Sequence, residues 1–324
     1  MKVISMLSIA LSALMLLGCS SKAASGNNDD NSQTDSIVAQ VDFNADSAVA
    51  LVAKQCGFGP RVPGTDAHKQ CGAWIKARLS ATCDQVIEQN PELTTFDGHT
   101  FTAANYIGVI NPQAQQRLLL LAHWDCRPWA DNDPDPAKRR EPVMGANDAA
   151  SGVAVLLEVA RQLRAKKPGI GVDILITDLE DWGTDSREES WALGTQYWVS
   201  HPHVAGYKPM GGILLDMVGA RGATFQQEVF SLQSAQTMVD QVWSIAERSG
   251  YGNFFKQTQG GAVTDDHVTL NRHGIACIDI IDLRAGSQSG FFDGWHTTHD
   301  TLDQIDPATL KAVGQTVCNV IFNY

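Results

Sequence analysis

Residues 171–181 read GVDILITDLED. Gly171 to Leu179 is almost continuously apolar, the pattern of a strand buried on both faces of a sheet. The run stops abruptly at the acidic pair Glu180–Asp181. A strand that delivers carboxylates at its carboxyl end belongs to an open α/β sheet, where ligands gather beyond the strand ends. The same construction recurs along the chain. LLLLAHWD (118–125) ends in His123 and Asp125, Asp216 closes the run GILL within Gly212–Val218, and Asp282 closes ACIDI within Ile275–Leu283.

Between these runs the apolar spacing turns helical. Asp66–Arg78 reads as a helix after the turn-rich GFGPRVPGT, Ser151–Ala165 as a helix capped by Ser151, and Ser234–Arg248 and Pro307–Phe322 as two more. Asn105–Ile110 and Arg117–Ala122 flank Asn111-Pro112 and are expected to pair as a hairpin. Alternating strands and helices without an internal repeat predict a single α/β domain. Its central sheet should be mixed, mostly parallel and twisted, flanked by helices.

The amino terminus, MKVISMLSIALSALMLLGC, has one lysine, an apolar stretch from Val3 to Leu17, and a sudden end. It is too short to span a bilayer and reads as a signal peptide over residues 1–18. Leu16-Leu17-Gly18-Cys19 resembles the bacterial lipobox, which would make Cys19 the lipidated first residue of the mature chain. An ordinary secretory signal that happens to contain cysteine is the other reading. Residues 19–36 are small and polar, a flexible tether, and residues 37–324 are left for a catalytic domain. This predicts a lipid-anchored protein of the cell envelope facing the periplasm, with inner and outer membrane left open. The net charge of −12 argues against nucleic acid and against electrostatic docking on anionic lipid. Cys19 would therefore be the only membrane contact, and a monomer is expected. Six cysteines remain besides Cys19. Disulfides and buried thiols are both open; Cys71 and Cys83 could close a short loop, and Cys277 sits within an apolar strand.

The chemistry is concentrated in four segments: LLLLAHWD, MGANDAASG (144–152), ITDLEDWG (176–183) and DGWHTTHDT (293–301). They supply His123, Asp125, Asp148, Glu180, Asp181 and His296. Carboxylates plus imidazole are the ligand set of a catalytic zinc, which keeps one position open for water or substrate. Two other stretches look like metal sites but are read otherwise. DNDPDP (131–136) lacks the glycine and terminal glutamate of a calcium loop and reads as a solvated excursion. His201 and His203 read as surface.

The order HxD, ND, acidic pair, LDMVGA, DDH and WHT resembles the zinc-dependent M28 metallopeptidase-like fold. VTDDHVTLNRHGIACIDII (263–281) followed by FFDGWHTTHDTLDQID (291–306) is most similar to the animal-type glutaminyl-peptide cyclotransferases. The resemblance runs from about Ala53 to the carboxyl terminus and, with the lipobox, suggests a bacterial lipoprotein member. It implies one zinc per chain held by Asp148, Asp181 and His296. It also implies Glu180 as general acid and base, with Asp216 and Asp265 in a carboxylate network beside it. The family's acidic pair is usually Glu-Glu, so Asp181 is one methylene shorter than its counterpart. Val263, Phe291 and Trp295 would form an apolar slot for the substrate, and Trp191 or Trp182 the opposite wall. His123 occupies the place that binds a second metal in two-zinc aminopeptidases of the same fold, and is read here as a hydrogen-bonded structural histidine. Asp266–His267 could serve as supporting residues instead of Asp265.

The activity implied is cyclisation of the N-terminal glutamine of peptides and proteins to pyroglutamate, with release of ammonia. A two-zinc aminopeptidase is the rival, and the ligand inventory alone does not separate the two. A lipoprotein that uses the pocket only for binding is a more distant one, disfavoured by Glu180 beside an intact set of ligands.

Overall fold

A computed structural model describes residues 36–324; the signal segment, Cys19 and the tether up to residue 35 lie outside the described residues. Six strands make the central sheet: β1 (Gln85–Gln89), β2 (Asn105–Ile110), β3 (Arg117–His123), β4 (Gly171–Thr177), β5 (Gly211–Asp216) and β6 (Cys277–Ile281). Their order across the sheet is β1-β2-β4-β3-β5-β6. β3, β4, β5 and β6 run parallel, while β2 is antiparallel to both β1 and β4. The result is the mixed, mostly parallel sheet of a single α/β domain.

Seven helices accompany it among the described residues: α1 (Ala45–Cys56), α2 (Asp66–Thr82), α3 (Ala150–Ala165), α4 (Leu193–Ser200), α5 (Val229–Arg248), α6 (Asp266–Arg272) and α7 (Pro307–Phe322). Alternate strand residues serve opposite faces. Leu118, Leu120, Ile174, Ile176, Ile213 and Leu215 enter the larger core with α1, α2, α3, α5 and α7. Leu119, Leu121, Leu175 and Leu214 meet Trp198 of α4 and Leu270 of α6 in the smaller one. Both faces are covered, which is why the strands read as unbroken apolar runs.

Several expectations change. β2 and β3 do not form a hairpin, because β4 lies between them, pairing antiparallel through Tyr106↔Ile176 and parallel through His123↔Thr177. Arg117 spans the opening instead, donating to Asn111 O at 2.9 Å, Ile110 O at 3.2 Å and Asp173 Oδ1 at 2.6 Å. Ser151 is not the cap of α3. It sits inside the helix, donating to Asn147 O and accepting from Val218 N, while Ala149 at the N-cap makes no side-chain bond. The His203 side chain is buried rather than on the surface: its ring packs near Trp198 and Tyr207, 3.7 Å from Asp173. His201 is exposed, as expected.

All six described cysteines are free thiols. Cys71 lies within α2 and Cys83 caps its end. Twelve residues of helical rise separate their Cα atoms by about 18 Å, well beyond the roughly 7 Å limit for a disulfide.

The site is built where α3 meets the sheet. A Cβ on Gly152 would stand 2.2 Å from Leu215 O and 3.1 Å from Ala122 Cβ. Only glycine lets the first turn of α3 approach so closely, and this approach holds the segment around Asp148 against the ends of β3 and β5.

Candidate active site

Four parallel strand ends converge as the apolar runs promised, though with one substitution. His123 closes β3, Glu180 and Asp181 follow β4, and Asp216 closes β5. Asp282, just past β6, turns away: its carboxylate accepts from Thr224 N and from Arg284. The opposite pleat at Ile281 faces the cavity instead. Asp265 and its neighbours at the start of α6 complete the rim.

The backbone around these residues is unusually contorted. Among the described residues, five non-glycine positions have positive φ: Asn111, Leu179, Ala192, Met217 and His296. Four of the five are at the site, since Leu179 precedes Glu180, Ala192 follows Trp191, Met217 follows Asp216, and His296 is a candidate ligand. Such conformations cost of order 1–3 kcal/mol each and persist where surrounding structure enforces them. Here the enforcement is visible. Asp125, fully buried, accepts from the amides of both Glu180 and Asp181 at 3.1 Å. Asp300 accepts from Asn147 N at 2.7 Å and Asp148 N at 3.0 Å, tying the start of α3 to the last loop of the site.

Asp148, Asp181 and His296 offer ligand atoms that all lie within 4.8 Å of one another. His296 Nε2 is 3.2 Å from Asp181 Oδ1 and 3.7 Å from Asp148 Oδ2. Both oxygens of Asp181 are buried without a hydrogen-bond partner. Two buried carboxylates, one of them unsatisfied, beside an imidazole make a donor set that could hold a metal ion. A second trio, His123, Asp148 and Asp216, is equally compact. It differs in being mutually satisfied: His123 Nε2 lies 3.0 Å from Asp148 and 3.3 Å from Asp216, with Nδ1 toward Asp125 at 3.4 Å.

Titration behaviour follows from crowding acids out of water. Burial holds the Glu180 carboxyl well above its ordinary range, reinforced by the charges of Asp265 and Asp181 and opposed by His123. Burial also lifts Asp216 to about 6, helped by the Asp148 charge, and lifts Asp265 well above its usual value, helped by Asp216 and Asp266. Asp148 moves the other way: burial alone would raise it, but the His123 ring outweighs that.

These groups face a cavity of about 280 Å³ whose apolar wall includes Trp191, Val263, Ile281, Phe291 and Trp295. Trp295 stacks on His296 at 3.9 Å and Phe291 packs on Trp295 at 4.6 Å. Trp191 stands on another side of the cavity, stacked 6.4 Å from His296. Trp182 is excluded from it: that indole packs with Phe101 and Trp129 and donates to Asp97. All ten residues expected at the site, namely Asp148, Glu180, Asp181, Trp191, Asp216, Val263, Asp265, Phe291, Trp295 and His296, therefore line one cavity.

Two supports escaped the sequence reading. DNDPDP is exposed as expected except at Asp133, which is fully buried and accepts from Thr298 N at 2.9 Å, Thr298 Oγ1 at 2.6 Å and Asp135 N at 2.9 Å. Its prolines hid a segment that grips the loop carrying His296. Glu228 is the other. It caps α5, accepts from Val263 N at 3.0 Å and lies 3.0 Å from His267 Nε2, so it anchors the apolar wall.

Burial would raise the Glu228 carboxyl, but bonding to His267 prevails and draws it down to about 2. A depressed folded value means stabilisation that is present above the unfolded value and lost as pH falls through the folded one. Melting temperature should therefore decline between about pH 4.5 and pH 2, and less so in Glu228→Gln than in the parent, as read by thermal denaturation across that range.

The sequence profile of peptidase family M28 matches residues 105–321, which contain every ligand and wall residue described. The chain belongs to peptidase family M28. Among solved structures, this M28 member is similar to a zinc-dependent exopeptidase from Parabacteroides distasonis, at 50% identity and a TM-score of 0.86, covering 88% of this chain and 99% of that one. It is similar to glutaminyl cyclase from Porphyromonas gingivalis at 48% identity and a TM-score of 0.85, covering 87% and 99%. Glutaminyl-peptide cyclotransferase from Gloydius blomhoffii is 25% identical over 302 residues, 82% of this chain and 77% of that protein.

Proposed function

We propose that this M28 member cyclises the N-terminal glutamine of peptides and proteins to pyroglutamate, releasing ammonia, with one zinc per chain held by Asp148, Asp181 and His296. The observation that carries the proposal is Glu180: a buried carboxyl whose surroundings strengthen its hold on a proton, beside the candidate zinc ligands, in a cavity of about 280 Å³ walled by aromatic side chains. When bound, zinc supplies Lewis acidity toward the γ-carboxamide oxygen of that glutamine.

The chain's own groups do the rest. Trp191, Trp295, Val263 and Phe291 fold the glutamine side chain back on its own amine and keep water out, a proximity effect that suits an intramolecular attack. As the α-nitrogen bonds to the side-chain carbonyl carbon, Glu180 in its ionised form takes the proton that nitrogen releases. Glu180 returns the proton to the departing amide nitrogen, the carbon–nitrogen bond breaks, and ammonia leaves. Asp216 and Asp265 share protons with Glu180, since neighbouring buried carboxyls cannot all ionise together. The single-zinc assignment rests on the orphaned oxygens of Asp181, set against the self-satisfied His123–Asp148–Asp216 trio.

That second trio also supports an alternative, a two-metal aminopeptidase, which accords with the exopeptidase name of one similar structure. Mass spectrometry of a Gln-initiated peptide incubated with purified protein, together with metal content per chain, separates the two. Cyclisation removes one ammonia and needs one zinc; peptidase action releases a free residue and needs two. The anchor through Cys19, a periplasm-facing position and a monomeric state complete the proposal. A natural role would be capping exported proteins whose N-terminal glutamine is exposed by signal cleavage. Protection of the domain from protease added to spheroplasts would count against that placement.

A further inference from the structure

Arg127 is a buried cation beside the site, and neither the M28 comparison nor the chemistry above uses it. Its side chain is 5% exposed. It donates from Nη1 to Asp181 O at 3.1 Å and Gly183 O at 3.0 Å. Nε and Nη2 form a fork on Asp131, at 3.2 and 2.6 Å. The guanidinium lies over two indoles, Trp129 at 5.0 Å and Trp191 at 4.9 Å. Asp131 in turn places Oδ1 3.6 Å from His296 Nδ1. The next residues continue the contact: Asn132 N donates to His296 O at 3.0 Å, and Asp133 holds Thr298.

Asp181 and His296 arrive on loops more than a hundred residues apart in sequence. The 127–133 segment touches both loops at the ligand residues themselves and also touches the Trp191 wall. We infer that the Arg127–Asp131 pair is a positioning clamp for the metal centre. Arg127 fixes the main chain of Asp181 and the plane of Trp191, and Asp131 sets the orientation of the His296 ring. A planar, five-donor group is required because the contacts diverge toward two carbonyls, a carboxylate and two ring faces; a lysine ammonium could meet only part of that set. A carboxylate facing the outer nitrogen of a metal-bound histidine fixes its tautomer and leaves Nε2 free for the metal. The inference rests on the assignment of Asp148, Asp181 and His296 as zinc ligands.

The test is zinc affinity of the full chain, measured by competition with a chromophoric chelator, for Asp131→Asn, Arg127→Lys and His296→Ala. Asp131→Asn keeps the shape of a half-exposed side chain and an acceptor for Arg127, so it should still fold cooperatively, at a somewhat lower melting temperature. The clamp predicts about a 10–100-fold loss of zinc affinity in Asp131→Asn. It predicts a comparable loss in Arg127→Lys despite the retained charge, with altered tryptophan fluorescence from Trp129 and Trp191. Parent-like zinc affinity in Asp131→Asn overturns it, whether or not Arg127→Lys folds. If His296→Ala also binds zinc like the parent, the ligand assignment itself has failed; if only His296→Ala loses zinc, the ligands stand and the clamp falls.

Discussion

Glu180→Gln is expected to lower kcat on a Gln-initiated peptide by about 10²–10⁴-fold, the usual contribution of a positioned general acid and base, while zinc content per chain stays at the parent level. The amide keeps the shape and volume of the carboxyl but can neither accept the α-amine proton nor return it to the leaving nitrogen. Glu180 is not in the ligand trio, so metal retention is the internal control. The ammonia-release rate and metal analysis on the same preparation decide the matter. Turnover within a few-fold of the parent would remove Glu180 from the chemistry and shift attention to Asp265, whose unpartnered Oδ2 is the next buried carboxylate oxygen facing the cavity.

Stripping the metal should have an effect at least as large. A Lewis acid at a carbonyl is worth several kcal/mol of transition-state stabilisation, and each 1.36 kcal/mol is about tenfold in rate. Dialysis against a strong chelator is therefore expected to reduce turnover by about 10³-fold or more, with recovery on adding back one equivalent of zinc. His296→Ala should show the same loss without recovery at that concentration. Full recovery only at two equivalents would favour the aminopeptidase reading, because His123 and Asp216 would then have a metal of their own. Undiminished activity in the stripped protein would end both readings.

Much of this site is legible in the sequence because strand chemistry is local. Short runs such as LLLLA and VDILIT, set among helical stretches, read as buried strands, and most of the polar residues that end them meet at one edge. Asp216 and Glu180–Asp181 were readable in this way, and His296 through its place between Trp295 and Thr297. What remained hidden depended on chain reversal rather than pattern. Strand order was misjudged at Asn111 because a short link between two strands ordinarily makes a hairpin; nothing local announced that β4 would insert there. Ser151 looked like a cap since serine often is one, yet the start of α3 is held by Asp300, about 150 residues away. Asp133 was mistaken for a solvated residue because prolines and acids usually mean exposure, whereas its partner Thr298 lies on the last loop of the site. Arg127 gave no signal: an arginine after HWDC is unremarkable until Asp131, Asp181 and Trp191 surround it.

The awkward main-chain angles at Leu179, Ala192, Met217 and His296 carry a wider implication. A protein that bends its own backbone against preference at each working corner must draw surplus cohesion from elsewhere, here from the two apolar layers behind the sheet. Tolerance to change is then unequal across the molecule. Softening the interior far from the rim would be felt first as relaxation of these corners, so that catalytic precision would fade before the domain as a whole came apart.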